Sequence, residues 1–145
     1  MSGSELDVLV GQWTVTVRFP GPEPTGTAEA RSVFEWILDG KYLVQRTEVS
    51  IPEAPDSMSV VAASADGQSY TQHYYDARGV TRLYAMTFVD RVWTLTREAA
   101  DFSPLDFRQR FVGTVSPDGD RIDGAWEMGT PDGGWKLDFE LTYTR

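Results

Sequence analysis

The chain reads as an all-β protein: a ten-stranded antiparallel up-and-down barrel forming a single domain over residues 1–145. Three observations predict this. Asp-Gly pairs recur at 39–40, 66–67, 118–119, 123–124 and 132–133, and glycine there supplies the positive φ that tight hairpin turns require. All but the pair at 123–124 lie between runs rich in β-branched and aromatic residues, which suit strands. Hairpin registers drawn from these turns sort the side chains into one apolar face and one charged face.

The elements follow in order. Ser4 to Val10 is the only helical stretch, with Ser4 as its N-cap, and it gives one short turn at the N-terminus. Strands are expected near 12–19, 26–38, 41–51, 58–65, 68–76, 80–89, 92–99, 106–116, 121–128 and 135–144. Phe19 to Gly26 carries three prolines, which forbid a regular ladder. Pro52 to Pro55 and Asp101 to Pro104 are further breaks.

Register makes the reading checkable. With Asp39-Gly40 as a two-residue loop, Trp36 opposes Leu43, Phe34 opposes Gln45 and Ala30 opposes Val49 on one face. Arg31 then meets Glu48 on the other, an opposite-charge cross-strand pair. A turn at Pro117 to Asp120 sets Val115 against Ile122, Gly113 against Gly124 and Phe111 against Trp126. Arg110 opposes Glu127 behind them, and the facing glycines mark a bend. Continued through Pro131 to Gly134, the same register pairs Trp126 with Leu137, Met128 with Trp135 and Glu127 with Lys136. That makes an outer Arg110–Glu127–Lys136 charge ladder and puts Trp36, Trp93, Trp126 and Trp135 in the core.

Short hairpin links favour an up-and-down barrel, which hides the edges that an open sheet would present. Eight strands leave an interior filled by side chains or one small ligand, so ten leave more room. The middle hairpins indicate what lines it. Asp90-Arg91 sets Phe88 against Trp93, Met86 against Leu95 and Tyr84 against Arg97. The Asp76 to Gly79 turn brings His73 and Tyr75 onto the face of Arg82 and Tyr84, and Asp66-Gly67 adds Met58, Val60 and Ala62. The expected ligand-binding set is Trp36, Gln45, His73, Tyr75, Arg82, Tyr84, Trp93, Arg97 and Gln109. A buried arginine is costly without an acceptor, and inward carboxylates are few. A ligand carboxylate, enolate or carbonyl is the expected partner, unless Arg82 and Arg97 reach water at the rim.

Composition excludes several classes. A net charge of −9 opposes binding to nucleic acid or to an anionic membrane surface. With no cysteine and one histidine, disulfides, thiolate chemistry and a zinc site of the usual ligands drop out. No Gly-rich phosphate loop, nucleophile elbow or EF-hand loop is present, so no catalytic residue, metal or cofactor is assigned. The N-terminus has no basic region followed by an apolar run, and a cytoplasmic location is expected.

The chain also resembles an uncharacterised bacterial family of lipocalin-like, calycin-type barrels. The likeness rests on Phe34-Glu-Trp36 with Asp39-Gly-Lys-Tyr-Leu-Val-Gln-Arg46, on His73-Tyr-Tyr-Asp-Ala-Arg-Gly-Val80, and on Trp93-Thr-Leu-Thr-Arg-Glu98. It continues through Asp101-Phe-Ser-Pro104, Arg110-Phe-Val-Gly113, Trp126-Glu127, Asp132-Gly133 and Asp138-Phe-Glu-Leu-Thr-Tyr143. It implies a barrel fold and brings no established activity. Gly11-Gln-Trp13 is similar to the Gly-x-Trp signature of lipocalins, in which an arginine of the last strand packs over the tryptophan; Arg145 is placed for that role. The strand count is closer to fatty-acid-binding proteins and to haem-binding nitrobindin-type barrels.

The function expected is binding of a small apolar or amphipathic molecule, with or without a carboxylate, in the barrel interior. The alternative is a cofactor-free cyclase or isomerase in the same pocket, where Tyr75, Tyr84 and His73 transfer protons and Arg82 or Arg97 stabilises an oxyanion. Haem ligation by His73 ranks below both. Oligomeric state is left open.

Overall fold

The computed structural model describes residues 4–20, 27–50 and 54–145. A six-residue 3₁₀ helix, Ser4–Leu9, precedes ten strands. They are β1 (Gly11–Arg18), β2 (Thr27–Ile37), β3 (Tyr42–Val49), β4 (Ser57–Ala63) and β5 (Tyr70–Asp76). β6 (Thr81–Val89), β7 (Val92–Arg97), β8 (Gln109–Val115), β9 (Arg121–Gly129) and β10 (Trp135–Thr144) complete the set. Each strand pairs antiparallel with its chain neighbours, and β1 pairs with β10 from Thr14↔Thr144 to Arg18↔Glu140, closing the barrel. The predicted proline-rich break at Phe19 to Gly26 and the break at Pro52 to Pro55 include 21–26 and 52–53, outside the described residues.

Most of the expected registers hold. Trp36↔Leu43, Phe34↔Gln45, Ala30↔Val49 and Arg31↔Glu48 pair as the Asp39-Gly40 turn requires. The loop there is longer than two residues, with Leu38, Asp39 and Gly40 all at positive φ, but the ladder beyond it is the same. Asp90 and Arg91 both have positive φ, as a two-residue type I′ turn demands, so Phe88↔Trp93 and Met86↔Leu95 follow. Val115↔Ile122, Phe111↔Trp126 and Arg110↔Glu127 also stand, and Arg110 bonds Glu127 at 2.8 Å. Gly113 and Gly124 pair as expected and also make room for a ring. The Phe111 ring lies over both, and a Cβ at either would come within 2.9 Å or 2.6 Å of it.

Two turns break the expected pattern, both in the same way. After β5 the chain turns through Ala77-Arg78-Gly79, with Asp76 N donating to Val80 O. After β9 it turns through Pro131-Asp132-Gly133, with Thr130 N donating to Gly134 O. Each is a three-residue loop ending on a left-handed glycine, at φ 84° for Gly79 and 89° for Gly133. An odd loop reverses the face of the strand before it relative to the strand after it. Glu127 therefore pairs with Leu137, and Lys136 faces Met128 rather than completing the charge ladder. Trp135 lies outside the core, its ring between the guanidiniums of Arg108 and Arg110 at 4.5 and 4.3 Å. A bulge between Leu137 and Phe139 then returns β10 to register, so that Phe139 faces Trp126.

The 3₁₀ helix plugs one end. Leu6 and Leu9 are fully buried there beside Trp13, whose indole donates to Leu9 O at 2.8 Å. Arg145 stacks over the Trp13 ring at 4.0 Å, as the Gly-x-Trp resemblance implies. Its guanidinium donates to Val10 O, Val8 O and Gly119 O at 2.7–2.8 Å, tying the last strand to the plug. No helix among the described residues is long and apolar enough to cross a membrane.

Candidate functional site

The other end of the barrel is open to a cavity of about 550 Å³. It lies among inward side chains of every strand, and its deep wall is aromatic: Trp93, Phe111 and Trp126 pack against one another with centroids 5.0–5.3 Å apart. Tyr84 stands against Trp126 at 5.5 Å and Tyr143 against Trp93 at 6.1 Å.

Five of the expected residues line this cavity: Gln45, Arg82, Tyr84, Trp93 and Gln109. Tyr84 donates to Gln109 Oε1 at 3.1 Å, and Arg82 is near enough to act on its ionisation. Burial raises the Tyr84 pKa, with Arg82 opposing the rise, so the phenol is a neutral donor near pH 7. No carboxylate among the described residues lies within ion-pair distance of Arg82, and its buried Nε has no partner.

The remaining four lie elsewhere. His73 and Tyr75 point outward, because the three-residue turn after β5 sets Gln72 opposite Tyr84 and Tyr74 opposite Arg82. Met58, Val60 and Ala62 pair with Tyr75, His73 and Thr71, and turn outward with them. His73 meets the exposed ring of Phe102 on the outside, at 6.1 Å. It cannot serve as a proton donor or haem ligand within the cavity. Trp36 belongs to the plugged end, where its indole donates to Asp7 Oδ1 at 2.7 Å.

Arg97 is 4% exposed and needs no ligand acceptor. Its Nε and one terminal nitrogen bind both oxygens of Asp101 at 2.8 Å, and that nitrogen also reaches Ser103 O at 2.8 Å and Pro104 O at 3.2 Å. The fork on Asp101 raises the arginine pKa and holds the carboxyl well below the usual range. Asp101 belongs to the β7–β8 loop, which inward-residue counting on strands never reaches. The β6–β7 ladder itself ends at Ala85↔Thr96, one step short of the expected pairing of Tyr84 with Arg97.

Strand parity missed Gln72 and Tyr74 for the reason just given, and a three-residue reading of Ala77-Arg78-Gly79 would have found both. Tyr74 donates to Asp76 Oδ2 at 2.8 Å, and Arg78 grips the same oxygen at 2.6 Å. Those bonds lower the Asp76 pKa to about 2 against the opposing effect of burial. Asp138, released from the ladder by the bulge, also lines the cavity, and burial raises its pKa. Ser32, Gln45 and Thr47 form one bonded cluster on the opposite wall, joined by Tyr143.

No family model matches the chain, and no curated protein matches it. Among solved structures it is similar to Rv2717c from M. tuberculosis, with a TM-score of 0.69. The fold is shared. The superposition covers 99% of this chain and 96% of that chain at 13% sequence identity, so the likeness is one of architecture alone.

Proposed function

We propose that the protein binds a small amphipathic molecule in the barrel cavity, with an oxygen-bearing group of the ligand against Arg82. One observation carries the reading: an open cavity of about 550 Å³ has an aromatic lining and an arginine without a carboxylate partner among the described residues. The volume lies within the usual range for small-molecule sites, which combine apolar walls with few, placed polar groups. A partly buried guanidinium gains most from an anionic or strongly polar acceptor, because the desolvation is already incurred. The likeness of Gly11-Gln-Trp13 and its stacked Arg145 to lipocalin-type barrels supports the same function class. Arg97 has no part in recognition, since Asp101 occupies its fork.

The test compares naphthoic acid with naphthalenemethanol, followed by quenching of intrinsic tryptophan fluorescence. The acid is expected to bind more tightly, and Arg82→Ala to weaken the acid by at least about tenfold while the alcohol changes far less. Equal affinities for acid and alcohol, unchanged by Arg82→Ala, would refute the role of Arg82.

A further inference from the structure

The cavity is divided lengthwise. Strands β2 to β5 face it mainly with uncharged polar side chains, among them Ser32, Gln45, Thr47, Ser59 and Gln72. Strands β7 to β10 face it mainly with rings and aliphatic groups: Trp93, Leu95, Phe111, Trp126, Phe139 and Leu141. In the closed order β1-β10-β9-β8-β7-β6-β5-β4-β3-β2 these two groups stand opposite each other, with β1 and β6 as the seams.

The polar half has hydrogen-bonding capacity left over. The Gln45 amide nitrogen has two hydrogens, which serve Ser32 Oγ at 3.1 Å and the Tyr143 hydroxyl at 3.2 Å. Ser32 and Thr47 share one hydroxyl hydrogen across 2.6 Å, which leaves the other without an acceptor. Tyr143 accepts from Gln45 and donates to no described residue, and its pKa is pushed up to about 12 by burial, so its proton stays in place. The hydroxyl of Ser59, a residue 5% exposed, has no partner among the described residues, and neither does Gln72 Oε1 in a side chain 4% exposed.

Resting on the reading that this cavity binds a ligand, we propose that the ligand is a flat ring system with hydroxyl or carbonyl oxygens along one edge. Its face lies on the Trp93–Phe111–Trp126 wall and its oxygenated edge meets the Ser32–Gln45–Ser59 wall. A flexible acyl chain is the poorer fit. Polar along none of its length but the head, it would leave the spare hydroxyl hydrogens of the Ser32–Thr47 pair and Tyr143, the Ser59 hydroxyl and Gln72 Oε1 desolvated without partners. Aromatic rings, by contrast, gain from offset and edge contacts with the opposite wall. Arg82 sits on the β6 seam, beside the polar half of the cavity.

Isothermal titration calorimetry with three probes tests this: a dihydroxyanthraquinone whose hydroxyls flank one carbonyl, anthracene, and palmitate. The dihydroxyanthraquinone is expected to bind at least about tenfold more tightly than either other probe. Ser59→Ala removes a hydroxyl that bonds no protein group, so the fold is kept, as a thermal melt would verify. It is expected to lower the dihydroxyanthraquinone affinity several-fold and to shrink its advantage over anthracene. Tightest binding by palmitate, or equal binding of anthracene and the dihydroxyanthraquinone, overturns the oxygenated-ring assignment and leaves the binding function standing. No heat from any probe, together with no naphthoic acid binding, overturns both.

Discussion

The two ends of the barrel are built on opposite terms. At the plugged end the large polar side chains are in use: Trp13 on Leu9, Trp36 on Asp7, and Arg145 on three carbonyls while it stacks on Trp13. Around the cavity, Arg82 Nε, Gln72 Oε1 and Trp93 Nε1 are buried without partners among the described residues. Groups left unpaired in this way reduce stability, whereas satisfied and close-packed ones support it. The contrast assigns structural work to the plug and recognition to the mouth.

The largest effect that follows is at the plug. Trp13→Ala is expected to cost about 4 kcal/mol in chemical denaturation, the usual scale for deleting a buried aromatic. A loss below about 1 kcal/mol would break the comparison, because the plug would then carry no more than an ordinary surface site.

Next comes the one part of the mouth end that behaves like the plug. The Arg97 and Asp101 side chains are 3% and 10% exposed, so Asp101→Ala leaves a buried cation unpaired at a cost of about 3 kcal/mol. The pH dependence has a definite sign. The carboxyl pKa is depressed in the folded state, so its contribution is complete above the unfolded value of about 3.9 and declines as pH falls below it. Acid titration should show a steeper decline in the wild type than in Asp101→Ala, the decline left in the variant coming from other depressed carboxyls such as Asp76.

Arg82→Leu should have the smallest effect on stability, within about 1 kcal/mol of wild type, since an unpaired buried donor is exchanged for an apolar group. A loss of several kcal/mol on denaturation would show Arg82 to be a structural residue and erase the distinction between the two ends.

How much of this was legible in the sequence is best judged from two turns with the same first three residues. Pro117-Asp118-Gly119 and Pro131-Asp132-Gly133 each place an aspartate that bonds the preceding hydroxyl residue, Ser116 or Thr130, and a left-handed glycine. The first runs on through Asp120 and forms a four-residue loop, closed by Ser116 N on Arg121 O. The second closes one residue sooner, by Thr130 N on Gly134 O. The carbonyl of the extra residue, Asp120, accepts from the backbone N–H of Arg145 at 3.1 Å, beyond the last β9–β10 pair. That contact joins distant parts of the chain, and no local pattern announces it. The strand count, most registers and the ring-rich interior could therefore be read from turn chemistry. The faces of His73, Tyr75, Gln72 and Tyr74 could not, because they depend on one residue of loop length. The partner of Arg97 was hidden for a related reason: Asp101 lies in a loop, where side-chain alternation says nothing about direction.

Beyond Ala85↔Thr96 the β6–β7 ladder stops, and the wall between these strands is continued by side chains of the β7–β8 loop. The Leu83 amide donates to Asp101 Oδ2 at 2.8 Å, and the Ser103 hydroxyl donates to Thr81 O at 2.8 Å. A backbone amide held by a carboxylate is protected from hydrogen exchange only while that carboxylate stays ionised and in place. Exchange at Leu83 consequently reports the Arg97–Asp101 pair, while the amides of β7 and β8 report the sheet. The barrel thus has a lateral seam closed by an ion pair and loop side chains in place of ladder bonds, and exchange at Leu83 is expected to be separable from exchange in the strands on either side.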